Sequence, residues 1–320
     1  MSLSVKNLFK RYGDNWIFKD VSFDVNQGEI FGIFGLTETG KTTLLKVLAG
    51  SEPPNGGVIA WQDSDIGNLS ENELVFLPRS PENSSSWRSF FSGNNKTYKS
   101  GSQRLDEIAA RALAVVILDD PFCGMDSALR RRSVRKLRKT TRDKGLAVVL
   151  TTSNYDEIFD ACDRVGVLVD RDIKQVGTPQ EVYDHPNCSA VATAVGRNNI
   201  FSTRRLTSSK SDHPEFITLV GEHRLFAQKT GIKTLGSINK NVLLAIRPEN
   251  VSISFGASFP EDNLLKAIVT GVKPRGASTL VELDSNGLKL EAMVLRLVGL
   301  NVGDECMLGL PPDRIQVLAD

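Results

Sequence analysis

The sequence predicts an α/β unit over residues 1–195 followed by a smaller all-β unit of the oligonucleotide/oligosaccharide-binding kind, and three observations carry that prediction. The first is a phosphate-binding loop: Gly35, Leu36, Thr37, Glu38, Thr39, Gly40, Lys41 and Thr42 spell G-x-x-x-x-G-K-T. The second is a succession of short apolar runs through the first half, of strand length and interleaved with helical patterns. The third is the change after residue 196 to β-like runs broken by turn residues.

The loop sits where its chemistry requires. Residues 29–34 read as a buried strand, and Leu44, Leu45, Val47 and Leu48 give residues 43–49 a helix-forming register. Glycines at both ends of the loop let backbone N–H groups turn inward around a phosphate, and the helix N-terminus adds a partial positive charge. Gly35, Thr37, Glu38, Thr39, Gly40 and Thr43 thus form the expected cradle, Lys41 reaches the β and γ phosphates, and the Thr42 hydroxyl ligates Mg²⁺. A second strand, 115–118, ends in Asp119 and Asp120. A carboxylate at the end of a buried strand beside a phosphate loop suits Mg²⁺, so Asp119 is the expected metal ligand. A third strand covers 146–150, and 165–169 follows as another apolar run.

Composition narrows the class further. A net charge of +1 gives no electrostatic case for bulk nucleic-acid or membrane binding. The longest apolar runs are strand-sized, and residues 1–12 have no apolar core of a secretory leader, so a cytoplasmic location is expected. Cys123, Cys162, Cys188 and Cys306 are scattered, as are His185, His213 and His223, which predicts reduced thiols and no structural metal.

Further segments resemble one family in particular. Ser100, Gly101, Ser102 and Gln103, followed by a helical stretch over 104–113, resemble the L-S-G-G-Q signature of ATP-binding cassette (ABC) proteins. Asp126 matches that family's D-loop, residues 151–157 fill its switch-loop position with Ser153 at the switch residue, and Tyr12 lies where an aromatic stacks on adenine. Taken alone, Tyr12 is equally compatible with a packing role. The run Gln175, Val176, Gly177, Thr178, Pro179 resembles the end of an importer cassette. The resemblance implies ATP and Mg²⁺ as ligands and Lys41 and Asp120 as catalytic groups. It implies a head-to-tail homodimer in which Ser100, Gly101 and Gln103 of one subunit close over the ATP of the other. It also implies transmembrane permease subunits as partners and a peripheral place on the inner face of the membrane.

The second half extends the likeness. Strand-like runs at 216–220, 242–246, 264–272, 279–283, 288–294 and 306–310 are separated by turn clusters such as 273–276 and 284–287. Arg247, Pro248 and Glu249 resemble the motif that opens the C-terminal regulatory (TOBE) region of importers for molybdate, sulfate, iron, polyamines and sugars. Residues 196–240 are then a connecting β segment and 241–320 the regulatory domain. Residues 297–304 lean toward the molybdate group, Pro311 and Pro312 toward the sugar and polyamine group, and the oxyanion is ranked first. Such a barrel could bind nucleic acid instead, but Lys266, Lys273 and Arg275 stand without interleaved aromatics, which argues against it.

Departures from the family's pattern fall on one side of the chemistry. Asp120 stands where the family has glutamate, Ser153 where it has histidine, and Leu77 or Arg79 where it has the Q-loop glutamine. Lys99 and Ser102 replace a leucine and a glycine of the signature, and the helical subdomain is reduced to about 79–103, rich in Ser, Asn and Gly. Groups that hold nucleotide remain, while those that position water are altered. Tight binding with weak hydrolysis is the expectation. The alternative is a non-hydrolysing, nucleotide-binding regulatory subunit.

Overall fold

The computed structural model describes residues 2–70, 73–79, 108, 110–111, 113–207, 213–231, 235, 237–255, 263–295 and 299–319. Its internal contacts divide it into two units, Met1–Asp184 and His185–Asp320. The division falls ahead of the boundary at 195 that the sequence suggests. Its cause is a short helix after Cys188, whose Ala192 packs with Ala245 and Leu318 of the second unit.

In the first unit, β1 (Ser2–Tyr12) and β2 (Asn15–Asn26) form an antiparallel hairpin with alternating burial. A central strand, β3 (Ile30–Phe34), is buried at every position. It leads through the phosphate loop into α1 (Lys41–Leu48). Next come β4 (Gly56–Trp61), β5 (Ser64–Asp65) and β6 (Leu74–Leu77). Then follow β7 (Val115–Asp119), α2 (Ser127–Lys144), β8 (Ala147–Thr152) and α3 (Tyr155–Ala161). The unit ends with β9 (Arg164–Val169), β10 (Asp172–Gly177) and α4 (Pro179–Asp184).

Two sheets result. One runs β2-β1-β4-β5; the other, β10-β9-β3-β8-β7-β6, is parallel from β9 to β6. Strands such as Val115–Asp119 are buried throughout, and apolar up to Asp119, because helices and the antiparallel sheet cover a parallel sheet on both faces. Leu44, Leu45, Val47 and Leu48 of α1 share one core with Leu3, Val5, Leu8 and Val25 of the hairpin and Phe31 and Ile33 of β3. Burial of each such side chain is worth about 1.5–3 kcal/mol. That anchors the helix directly behind the loop.

The second unit is a short helix, α5 (Ser189–Ala194), followed by strands. β11 (Asn199–Arg205), β12 (Glu215–Thr218), β13 (Arg224–Phe226) and β14 (Asn241–Ile246) are followed by β15 (Ser252–Ser254) and β16 (Asn263–Pro274). β17 (Thr279–Ser285), β18 (Leu288–Val294), β19 (Glu305–Leu310) and β20 (Gln316–Leu318) complete it. They form two five-stranded sheets, β13-β12-β11-β14-β20 and β15-β19-β16-β17-β18. Both sheets face one apolar core, from Phe201 and Phe216 to Leu283 and Leu308. Burial alternates along β16: Asn263, Leu265, Ala267 and Val269 point inward, Leu264, Lys266, Ile268 and Thr270 outward.

Candidate functional site

The parallel register carries the site's components to one edge of the central sheet. Ile33 pairs with Thr151 and Asp119 with Thr151, so the ends of β3, β7 and β8 lie side by side. Ligands of open α/β sheets bind beyond the carboxyl ends of the strands, where these residues are found.

The loop's shape is locally determined. Gly40 is left-handed, with φ of 92°, and a Cβ there would meet Ile17 Cγ2 at 2.8 Å. A Cβ on Gly35 would meet Thr39 Oγ1 at 2.6 Å and the Leu168 carbonyl oxygen at 2.9 Å. Glu38 also adopts a left-handed φ of 66°, a conformation that costs a side-chain-bearing residue about 1–2 kcal/mol. Burial of the four apolar side chains of α1 exceeds that cost several-fold. Thr39 Oγ1 closes the turn by donating to the Leu36 carbonyl at 2.9 Å.

Lys41 Nζ donates to the carbonyl oxygens of Gly35 and Leu36, both at 2.7 Å, so its ammonium is held over the mouth of the loop. Burial pushes the Lys41 amine down, while Asp119 and Asp120 push it back up. Thr42 Oγ1 donates to Asp119 Oδ2 at 2.9 Å, and Thr151 Oγ1 donates to Asp119 Oδ1 at 2.8 Å. Asp119 is 5% exposed, and each carboxylate oxygen has one hydroxyl partner. Thr42 and Asp119 are hard oxygen donors, a set that suits Mg²⁺, which takes one or two protein ligands and completes its shell with phosphate and water. Among the described residues no group of three or more His, Cys, Asp or Glu is placed to hold a metal ion.

Asp120 follows in a left-handed conformation, φ 47°, which Asp tolerates better than most residues. Its backbone N–H donates to the Thr151 carbonyl at 3.1 Å. Burial pushes its carboxyl up, the Arg79 charge opposes that, and neighbouring Asp119 reinforces it. Arg79 Nε lies 3.4 Å from Asp120 Oδ2, and Arg79 Nη2 donates to Cys123 Sγ at 3.4 Å.

The remaining expected residues are placed unevenly. Tyr12, at the end of β1, is 50% exposed; its hydroxyl donates to Glu52 and lies beside Thr43 of the loop helix. Thr37 is an exposed residue of the loop. Asp126 caps α2, accepting from the N–H groups of Ala128 and Leu129, both at 2.8 Å, and those bonds hold its carboxyl below the usual range. Ser153 is exposed just past β8, where Thr152 Oγ1 donates to buried Glu157 at 2.6 Å. Ser100, Gly101 and Gln103, and most of the reduced 79–103 segment, lie outside the described residues.

Sequence reasoning gave Thr151 only as part of the 151–157 switch-loop run and Cys123 only as a reduced thiol, and did not name Glu52. Thr151 lies in β8, parallel to β7, and the register, which no local pattern in the sequence gives, places it opposite Asp119.

A phosphate loop on a parallel sheet, with a buried aspartate and a threonine hydroxyl in contact, defines a nucleotide-binding P-loop protein. Residues 18–120 match the ABC transporter family and residues 244–318 the TOBE domain. The chain belongs to the ABC family as an importer-type ATP-binding subunit with a C-terminal TOBE domain. The spermidine/putrescine import ATP-binding protein PotA of Trichormus variabilis is 26% identical over 92% of this chain and 86% of its own. PotA of Thermotoga maritima is 28% identical over 79% of this chain and 77% of its own. A solved nucleotide-free ATP-binding cassette from an ABC transporter is similar over 62% of this chain and 100% of its own, with 17% identity and a TM-score of 0.49. Subunits of this family pair with transmembrane permeases, and no helix among the described residues is long and apolar enough to cross a membrane.

Proposed function

We propose that the chain binds Mg-ATP as a head-to-tail homodimer and drives a solute importer with slow turnover. The observation that carries the reading is the chain of contacts from Lys41 on the loop carbonyls, through Thr42 and Asp119, to Thr151. In that arrangement Lys41 neutralises phosphate charge, and Thr42 and Asp119 hold Mg²⁺, which adds further neutralisation when bound. Asp120 orients the attacking water, from a shorter side chain than the glutamate the family uses. Misplacing a catalytic group by about 1 Å costs on the order of a hundredfold, which is the basis for slow turnover. Tyr12, beside Thr43, offers its exposed face to adenine.

A polyamine is favoured over the oxyanion suggested by residues 297–304, because the relatives named above are spermidine/putrescine importers. The location follows from the role: the inner membrane face, on permease subunits.

The test is steady-state ATP hydrolysis beside Lys41→Ala and Asp120→Asn. A wild-type rate above both controls supports the reading. A rate equal to both, with ATP still bound, would leave the non-hydrolysing regulatory role in its place.

A further inference from the structure

Arg79 stands where the family's pattern has a neutral glutamine or its neighbour, and it brings a second cation to the phosphate end of the site. Its position follows from strand register. Leu77 of β6 pairs with Leu118 of β7, and Arg79 and Asp120 each lie two residues past that pair. The guanidinium therefore meets the Asp120 carboxylate, Nε to Oδ2 at 3.4 Å, with Cys123 Sγ as its other acceptor.

Three features make this pair exchangeable rather than structural. The Arg79 side chain is 61% exposed, and an ion pair so placed contributes little to folding. A guanidinium offers five donors in a planar fork, more than one carboxylate oxygen and a thiol sulfur take up. Asp120, which Arg79 meets, also acts on Lys41, and the Arg79 charge opposes that of Lys41 as the smallest of the influences on that amine. A terminal phosphate carries more charge than a single carboxylate and accepts two parallel N–H bonds from a guanidinium. It is the stronger partner.

We propose that Arg79 distinguishes ATP from ADP: its guanidinium is shared between Asp120 and the γ-phosphate, which only ATP carries, so that binding ATP, but not ADP, draws it from Asp120 and frees that carboxylate for water. The proposal rests on the Mg-ATP reading above and adds to it a device within one subunit. Asp120 is engaged by Arg79 until the substrate with a third phosphate arrives.

The experiment is equilibrium binding to the full-length chain with Mg²⁺, using ADP and a non-hydrolysable β,γ-imido analogue of ATP. Arg79→Gln is expected to weaken the triphosphate analogue roughly tenfold, the scale of one charge-assisted hydrogen bond, and to leave ADP within twofold. Arg79→Lys should keep part of the preference. Asp120→Asn should strengthen the analogue, and by less in an Arg79→Gln background than in wild type, since Asp120 and the γ-phosphate compete for Arg79. Equal weakening of both nucleotides by Arg79→Gln, or no change in either, overturns the role of Arg79 and leaves nucleotide binding intact. A wild-type chain that binds neither nucleotide overturns the Mg-ATP reading itself.

Discussion

Two halves of one site follow different rules. On the side of the loop, Gly35, Gly40, Lys41, Thr42 and Asp119 form a closed set in which each polar group has a short, defined partner. On the other side, Arg79, Asp120 and Ser153 lie at departures from the family's pattern, and their contacts are longer and more exposed. The difference teaches that holding phosphate and activating water are separable demands. The first needs backbone geometry and two hydroxyl contacts to a carboxylate; the second needs a base at one distance from one water.

The sharpest way to break the comparison is to repair the second half. Asp120→Glu with Ser153→His restores the reach of the base and a titratable switch residue, while the loop is untouched. If the deficit is one of reach, ATP turnover should rise by up to about a hundredfold with nucleotide affinity nearly constant. Single-turnover measurements separate the chemical step from release. No rise in either would place the obstacle in the reduced segment around 79–103.

How much of this was legible in the sequence follows the same division. The loop and Asp119 were legible because buried parallel strands are written as continuous apolar runs, and the loop's glycines sit between one such run and a helix. β16 and β18 were legible as β-like runs bounded by the turn clusters at 273–276 and 284–287. The hairpin of β1 and β2 was not: its register shifts between Val5 and Leu8 and between Leu8 and Lys10 break the period of two. Nor was α2, in which only Ser133, Val134, Leu137 and Thr141 are buried on a helix whose other residues are mostly charged. The ion pair of Arg79 with Asp120 depends on strand register, to which no local pattern points.

A smaller effect tests whether the loop is as closed as its contacts imply. Gly40→Ala places a Cβ in a left-handed conformation and 2.8 Å from Ile17 Cγ2. Strain of about 1–2 kcal/mol is expected, read as a lower midpoint in denaturant unfolding with an unchanged slope. Added Mg-ATP should recover part of that loss, because binding only the folded state raises its stability by mass action. Stability equal to wild type would show that the loop is looser than its contacts suggest.

The smallest effect isolates the exposed half from the fold. Asn154 caps α3, its side chain accepting from the Asp156 N–H at 3.0 Å, one residue after Ser153. Asn154→Ala removes a cap worth about 1 kcal/mol and releases the start of α3 without touching Lys41, Thr42 or Asp119. Nucleotide affinity should therefore stay constant while the melting temperature falls. A matching drop in affinity would mean that the switch end of β8 supports the phosphate side after all, through Thr151, whose hydroxyl holds Asp119. The two halves would then be one mechanical unit, and the separation argued from their contacts would fail.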